Sequence, residues 1–189
     1  MEEDTSRIVP TPAQLRGVAH PTRIKMLGML RLDGPQTATA LAIRLGLNTG
    51  ATSYHLRQLA RHGFVVEAEE LSTGRDRWWR AAHRSTTLED VAVEGAGPYL
   101  QTVVVRHAQM LQAGVEEFDE LPEEWKRATT HSDWVITCSP SRAKELLEQI
   151  AALLAQVQDE ADDEGAEQVM FQLHAFPRPG RVPHDGDDQ

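Results

Sequence analysis

The spacing of apolar residues predicts a mainly helical chain with a few short strands. Apolar positions recur every three or four residues, as on one face of a helix, in several segments. These segments begin near Pro12, Pro21, Gln36, Thr49, Pro98 and Ser139-Pro140. Four short segments are predicted to be strands: 64–68, 75–80, 134–138 and 169–175. The pattern therefore indicates an α+β fold in which helices dominate.

Residues 36–63 carry the most informative pattern, two short helices joined by a tight turn. Gly46 lies where the first helix must end, because glycine readily adopts the left-handed backbone conformation of a helix C-terminus. Asn48 or Thr49 then offers a side-chain oxygen to the free N–H groups of the second helix. This arrangement is a helix-turn-helix, whose second helix enters the major groove of DNA.

A predicted hairpin follows the helix-turn-helix and is typical of a wing. Residues 64–68 form one strand, 71–74 the turn and 75–80 the returning strand. The tip and the returning strand carry Arg75, Arg77 and Arg80, which suit contacts to phosphates or the minor groove. With two upstream helices, the segments complete a winged helix-turn-helix over about residues 11–82.

Three separate segments of this region resemble a known family. They are His20-Pro21-Thr22-Arg23-Ile24, Ser53-Tyr54-His55-Leu56-Arg57-Gln58-Leu59 and Gly63-Phe64-Val65. In this order they resemble the ArsR family of bacterial transcriptional repressors, over about the first 84 residues. The resemblance implies a homodimer that binds palindromic operator DNA. Metal-sensing members carry cysteines on the helix before the recognition helix, or Asp and His ligands on the dimer helix. The matching stretch here, 37–42, has no cysteine, so no metal ligand is assigned.

Charge is distributed unevenly along the chain, whose net charge is −10. Residues 1–84 carry 12 Lys and Arg against 8 Asp and Glu, a net charge of +4. Residues 85–189 carry 7 against 21, a net charge of −14. The basic half coincides with the predicted helix-turn-helix, which favours a DNA-binding half and a second half kept away from DNA. An acidic surface that only aids solubility is the alternative.

The second half begins, on this interpretation, with a linker over 85–97. The apolar pattern then predicts one long helix over 98–118, placed to pair with its twin in a dimer, although a core helix would show the same pattern. A strand–helix–strand unit completes a dimerisation or sensor domain over 98–176. Residues 177–189 are rich in Pro, Gly and Asp and are predicted to be a disordered tail. The winged helix-turn-helix domain that precedes the linker covers residues 1–84 in this division.

The predicted recognition helix carries side chains that match the donors and acceptors of base edges. Gln pairs with adenine, and the Thr methyl group packs on thymine. Arg57 suits a phosphate contact because its side chain is long and charged. The complete candidate DNA-binding set is Thr37, Thr39, Thr49, Gly50, Thr52, Ser53, Tyr54, His55, Arg57, Gln58, Arg75 and Arg77.

Other chemistries find less support in the sequence. None of the eight histidines lies at a spacing that gathers three or four metal ligands, so neither a metal nor another cofactor is expected. The sequence contains no Gly-rich phosphate-binding loop, serine nucleophile elbow or paired-carboxylate motif, so no enzymatic activity is expected. Cys138 is the sole cysteine, which excludes an intrachain disulfide and suits a reducing cytoplasm. No secretory signal or membrane-spanning segment is expected.

Three hypotheses follow from these observations. The first is a dimeric transcriptional repressor that reads a palindrome with the helix near 49–61 and the wing near 64–80. The second is a winged helix that binds protein rather than DNA. The third adds a small-molecule pocket or an enzyme in the C-terminal half, between the strand–helix–strand unit and the long helix.

Overall fold

The computed structural model describes residues 7–72, 76–88, 91–157 and 164–182. The chain divides into two compact units, residues 1–121 and 122–189, which are taken in turn. The helices of the first unit are α1 (Pro12–Val18), α2 (Pro21–Leu32), α3 (Ala38–Leu45), α4 (Thr49–Arg61) and α5 (Ala96–Glu117). Its strands are β1 (Arg7–Ile8), β2 (Gln36–Thr37), β3 (Val65–Glu67), β4 (Trp78–Ala81) and β5 (Ser85–Thr86).

Side-chain caps explain where α1 and α2 begin. Thr11 and Gln14 form the predicted capping box of α1, followed by Pro12 at its first position. At α2 the imidazole of His20 accepts a hydrogen bond from the Thr22 N–H, with Pro21 at the first position. These starts confirm the sequence prediction and depend on local chemistry alone.

A three-stranded antiparallel sheet supports the wing. Its order is β2-β4-β3, so the returning strand β4 lies in the middle. The sequence predicted β3 and β4 but not β2, which is only two residues long. Trp79 of β4 is buried and Trp78 is half-buried, as expected for neighbours that point to opposite faces of a strand.

The core of the first unit lies where α1, α2, α4 and the wing meet. Its fully buried large side chains include Leu15, Met26, Leu41, Leu56 and Phe64. They come from four helices and the start of the wing, so a single hydrophobic core unites the predicted elements.

Gly17 permits the closest approach in this core. A Cβ atom at this position would lie 2.3 Å from the imidazole ring of His62, at the end of α4. Gln14, one turn earlier, donates a hydrogen bond from Nε2 to the His62 carbonyl oxygen at 3.0 Å. Helix α1 is thereby fixed against the C-terminal end of α4.

Helix α5 belongs to the first unit, where it packs on α1 and α2. It begins two residues before the predicted start at 98 and ends one residue before the predicted end at 118. The segment 85–97, predicted to be a linker, contains β5, which pairs in parallel with β1. Arg31 of α2 holds the start of this segment by donating to the Thr86 hydroxyl and to the carbonyl of His83, two residues before it, both at 2.9 Å. Burial lowers the pKa of Arg31 to about 10.

The second unit contains α6 (Glu123–Ala128) and α7 (Pro140–Ala155). Ser139 caps α7, and Pro140 follows at its first position, as predicted. The predicted strands at 134–138 and 169–175 are wrong, because the structure shows no regular secondary structure over either segment. A strand needs a neighbour for its N–H and C=O groups, and alternation of side chains alone does not supply one. No described residue of this unit is buried.

Two further predictions fall partly or wholly outside the described residues. The wing tip at 73–75 is one, and the predicted disordered tail, of which only 177–182 is described, is the other. Within the described ranges, no helix is long and apolar enough to cross a membrane.

The left-handed backbone at Gly46 gives the first testable prediction. Gly46→Ala is expected to lower the free energy of unfolding by about 1–2 kcal/mol, because a Cβ atom is disfavoured at a φ of 64°. Gly28→Ala is the matched control, since neither added Cβ meets an atom within 4 Å. In the middle of α2 it is expected to stabilise by roughly 0.5–1 kcal/mol. Urea unfolding measures both, and equal effects would contradict the assignment of Gly46 as a helix terminus.

Candidate nucleic-acid interface

The turn between α3 and α4 sets the direction of the predicted recognition helix. The left-handed Gly46 lets the Leu47 N–H donate to the Ala42 carbonyl oxygen at 2.9 Å, which closes α3. Two residues later, the Asn48 side-chain oxygen accepts the Ala51 N–H at 2.8 Å and begins α4. Of the two caps that the sequence allowed, the structure therefore uses Asn48.

Thr52 joins the two helices and is not a surface residue. Its side chain is 0% exposed, and its hydroxyl lies 2.8 Å from the Ala38 carbonyl oxygen and 3.1 Å from that of Thr49. A buried hydroxyl that already donates to the backbone cannot reach a base, so the prediction that Thr52 contacts DNA is wrong. The sequence pattern did not reveal this burial, because threonine occurs both on exposed helix surfaces and at buried junctions between helices.

The outer face of α4 is defined by the residues opposite this junction. Gly50, Tyr54, Arg57 and Arg61 follow one another at spacings of three or four, and all four are exposed. Tyr54 is at the centre of this outer face, with 51% of its surface exposed. Arg61 was missed by the sequence prediction, although its spacing from Arg57 places it on the same face.

The remaining predicted residues of the helix-turn-helix lie around the outer face. Thr49 is exposed at the start of α4, while Ser53 and Gln58 are half-buried beside the outer face. On α3, Thr39 is exposed. Thr37 is half-buried because it caps α3, its hydroxyl accepting the Ala40 N–H at 3.1 Å.

His55 faces α2 rather than the outer face. Its ring centroid lies 4.7 Å from that of His20, and its Nδ1 atom is buried without a hydrogen-bond partner among the described residues. Burial lowers the pKa of His55, and the nearby charges of His20 and Arg23 lower it further. The pKa of His20 is lowered by burial and by Arg23. The lowered pKa values favour the neutral form of both imidazoles.

The wing presents its arginines in ion pairs. Arg77 lies 3.0 Å from Glu67, and Arg80 is paired with Glu70. Both pairs are exposed, and ion pairs of this kind contribute little to stability, so a phosphate can compete for the arginine. Arg75, the third predicted wing contact, lies outside the described residues.

The structure also bears on metal ligands. Over residues 7–72, 76–88, 91–157 and 164–182, no group of three or more His, Cys, Asp or Glu side chains is arranged to hold a metal ion. The pair of His20 and His55 lacks a third ligand of this kind among these residues.

Comparison with known proteins identifies the central region. A sequence family described as a helix-turn-helix domain matches residues 18–68. No curated protein matches this chain. The match to the family and the geometry of α3 and α4 agree, so residues 18–68 form a helix-turn-helix domain.

Several solved structures are similar to this chain at low identity. A mutant of ZitR from Lactococcus lactis in apo form is 14% identical, with a TM-score of 0.35, covering 73% of this chain and 82% of that one. The adhesin competence repressor AdcR from Streptococcus pyogenes is 13% identical, with a TM-score of 0.34, covering 71% and 78%. Wild-type ZitR in complex with DNA is 13% identical, with a TM-score of 0.32, covering 82% and 80%.

The role of Thr52 leads to the second testable prediction. Thr52→Val keeps the shape of the side chain but removes the hydroxyl, and should lower the free energy of unfolding by about 1 kcal/mol. Thr52→Ser retains the hydrogen bond and separates its contribution from that of the methyl group. Urea unfolding of both variants provides the measurement. A Thr52→Val variant as stable as the unmodified chain would show that the hydroxyl does not join α3 to α4.

Proposed function

We propose that this chain is a sequence-specific DNA-binding transcriptional regulator. The outer face of α4 is the observation that carries the proposal. A helix held by a buried threonine and two leucines presents Gly50, Tyr54, Arg57 and Arg61 on its opposite side. Gly50 allows close approach, and the other three side chains offer hydrogen-bond donors to base edges and phosphates.

The charge of the helix-turn-helix supports a polyanionic partner. From Thr5 to Val66 the chain has eight Lys and Arg residues and a single acid, Asp33, in a protein with 29 acids. Asp33 is itself 2.7 Å from Arg44. Acids return at Glu67, in the wing. The helices that surround α4 are therefore cationic although the whole chain is acidic, which favours a duplex over a neutral protein partner.

Helix α5 supports a homodimer. Val104, Leu111 and Val115 are 51%, 52% and 55% exposed, and with Ala108 they follow the alternating spacing of three and four of a coiled-coil seam. Tyr99 and Val103, on another side of the helix, pack in the core, and Leu100 packs there one turn before the seam begins. We infer that this apolar seam pairs with the same seam of a second copy.

Two copies joined by α5 present two recognition helices related by a two-fold axis. Such a dimer reads a palindrome whose half-sites lie one or more helical turns apart. The resemblance of three segments to the ArsR family supports repression, since a bound dimer then blocks transcription from its operator. The alternative is a winged helix that binds a protein, and selection of bound duplexes distinguishes it from a DNA-binding regulator.

Selection of bound sequences from random duplexes tests DNA recognition. The expected result is an enriched palindrome with half-sites about 34–36 Å apart along the duplex, or a multiple of this spacing. Binding should weaken steeply as salt concentration rises. The absence of any duplex binding at low salt would reject the proposal and favour the protein-interaction alternative.

Arg57→Ala serves as the matched variant in this experiment, with Arg127→Ala as its control on an exposed helix of the second unit. Loss of one phosphate contact should reduce the salt slope by about 1 and weaken binding to selected and random duplexes equally. Arg127→Ala should leave both quantities unchanged. An unchanged slope in Arg57→Ala would remove Arg57 from the interface.

Leu111→Glu tests the dimer, because it places a charge in the middle of the proposed seam. Light scattering should give twice the chain mass of 21.1 kDa for the unmodified protein and the single chain mass for the variant. Ala113→Glu adds the same charge to α5 outside the seam and should remain dimeric. A monomeric unmodified protein, or a dimeric Leu111→Glu variant, would contradict the role of α5.

A further inference from the structure

A cavity of about 500 Å³ lies in the first unit between α5, the start of α2 and the turn that follows α3. Its volume is within the range of about 300–1,000 Å³ that is usual for small-molecule sites. Leu45 and Leu47 line it on the side of the helix-turn-helix, and Val105 lines it on the side of α5. The cavity therefore has an apolar part on which a ligand can pack.

The polar part of the cavity is cationic. Lys25 of α2 and Arg106 of α5 both line it, and none of its lining residues is acidic. The Nε atom of Arg106 is buried and has no hydrogen-bond partner in the described part of the chain. Gln101 and Gln109 add amide groups on the α5 side. A buried donor without a partner is costly, so the site favours a ligand that supplies an acceptor.

We propose that this cavity binds a small organic acid whose carboxylate lies between Lys25 and Arg106 and whose apolar body packs on Leu45, Leu47 and Val105. An arginine with a free Nε suits a carboxylate, since its fork of donors matches the two carboxylate oxygens. The apolar wall gives the body of an organic acid contacts that an inorganic anion cannot make.

The position of the site gives the ligand a way to act on DNA binding. Leu47 belongs to the turn that precedes α4, while Arg106 lies on α5, on the side opposite the proposed dimer seam. A ligand that contacts both couples the direction of the recognition helix to the helix that spaces the two copies. This regulatory consequence rests on the proposed function, whereas the binding of an acid does not.

Calorimetric titration of the full chain in the absence of DNA tests the site. The probes are octanoate and 3-phenylpropanoate, with 1-octanol and 3-phenylpropan-1-ol as their uncharged counterparts. At least one acid is expected to bind, and its alcohol at least about tenfold more weakly, because only the acid carries the charge that Lys25 and Arg106 attract. Failure of both acids to bind, or equal binding of acid and alcohol, would overturn the proposal.

Substitutions of residues that line the cavity test whether the acid binds there. Arg106→Gln and Lys25→Gln should each weaken the acid about tenfold or more, and Val105→Trp should abolish binding by filling the cavity. Arg127→Gln, which removes a cation from the second unit, should bind as the unmodified chain does. Lys25 is exposed, so its variant should fold even where Arg106→Gln does not. Unchanged affinity in Lys25→Gln would overturn the site. Because no duplex is present, these results stand or fall separately from DNA recognition.

Discussion

The packing of α3 on α4 at Thr52 is the contact on which the rest of the molecule depends. A fully buried hydroxyl bound to the Ala38 carbonyl leaves α4 little freedom to rotate about its own axis. Leu56 and Leu59, also fully buried, continue the same face into the core. The outer face is therefore determined by what is buried opposite it, and Tyr54, Arg57 and Arg61 are presented together for this reason.

Elements determined by local chemistry were predictable from the sequence. Thr11 and Gln14 at α1, Gly46 at the end of α3 and Ser139 before α7 act within one helical turn, so their side chains alone indicate the boundary. The outer face of α4 was predictable in part. Its spacing was visible, but the sequence does not reveal which polar residue turns inward, and Thr52 was therefore assigned to the wrong side.

Features that require a distant partner were not predictable in the same way. β2 has only two residues and exists because β4 lies beside it. The segments 134–138 and 169–175 have the side chains of strands, and the described structure gives them no neighbour; Trp134 is accordingly 78% exposed. The apolar stripe predicted along 98–118 includes both a core-facing side and an exposed seam. The sequence did not separate them, since spacing by three or four does not distinguish one wide stripe from two narrow ones.

The proposed dimer and the proposed ligand site use two different faces of the same helix, α5. Its inner face, through Tyr99 and Val103, fixes the helix to the domain that carries α4. Its outer seam is the surface proposed to contact a second copy. Arg106 lies on the opposite side of the helix, where it lines the cavity together with Leu47. A rigid helix transmits a displacement along its whole length, so a ligand at Arg106 would change the spacing of the two copies in the proposed dimer without touching DNA. Coupling of this kind requires that α5 move as one body with the seam, and the absence of proline between Gln101 and Glu117 is consistent with an unbroken helix.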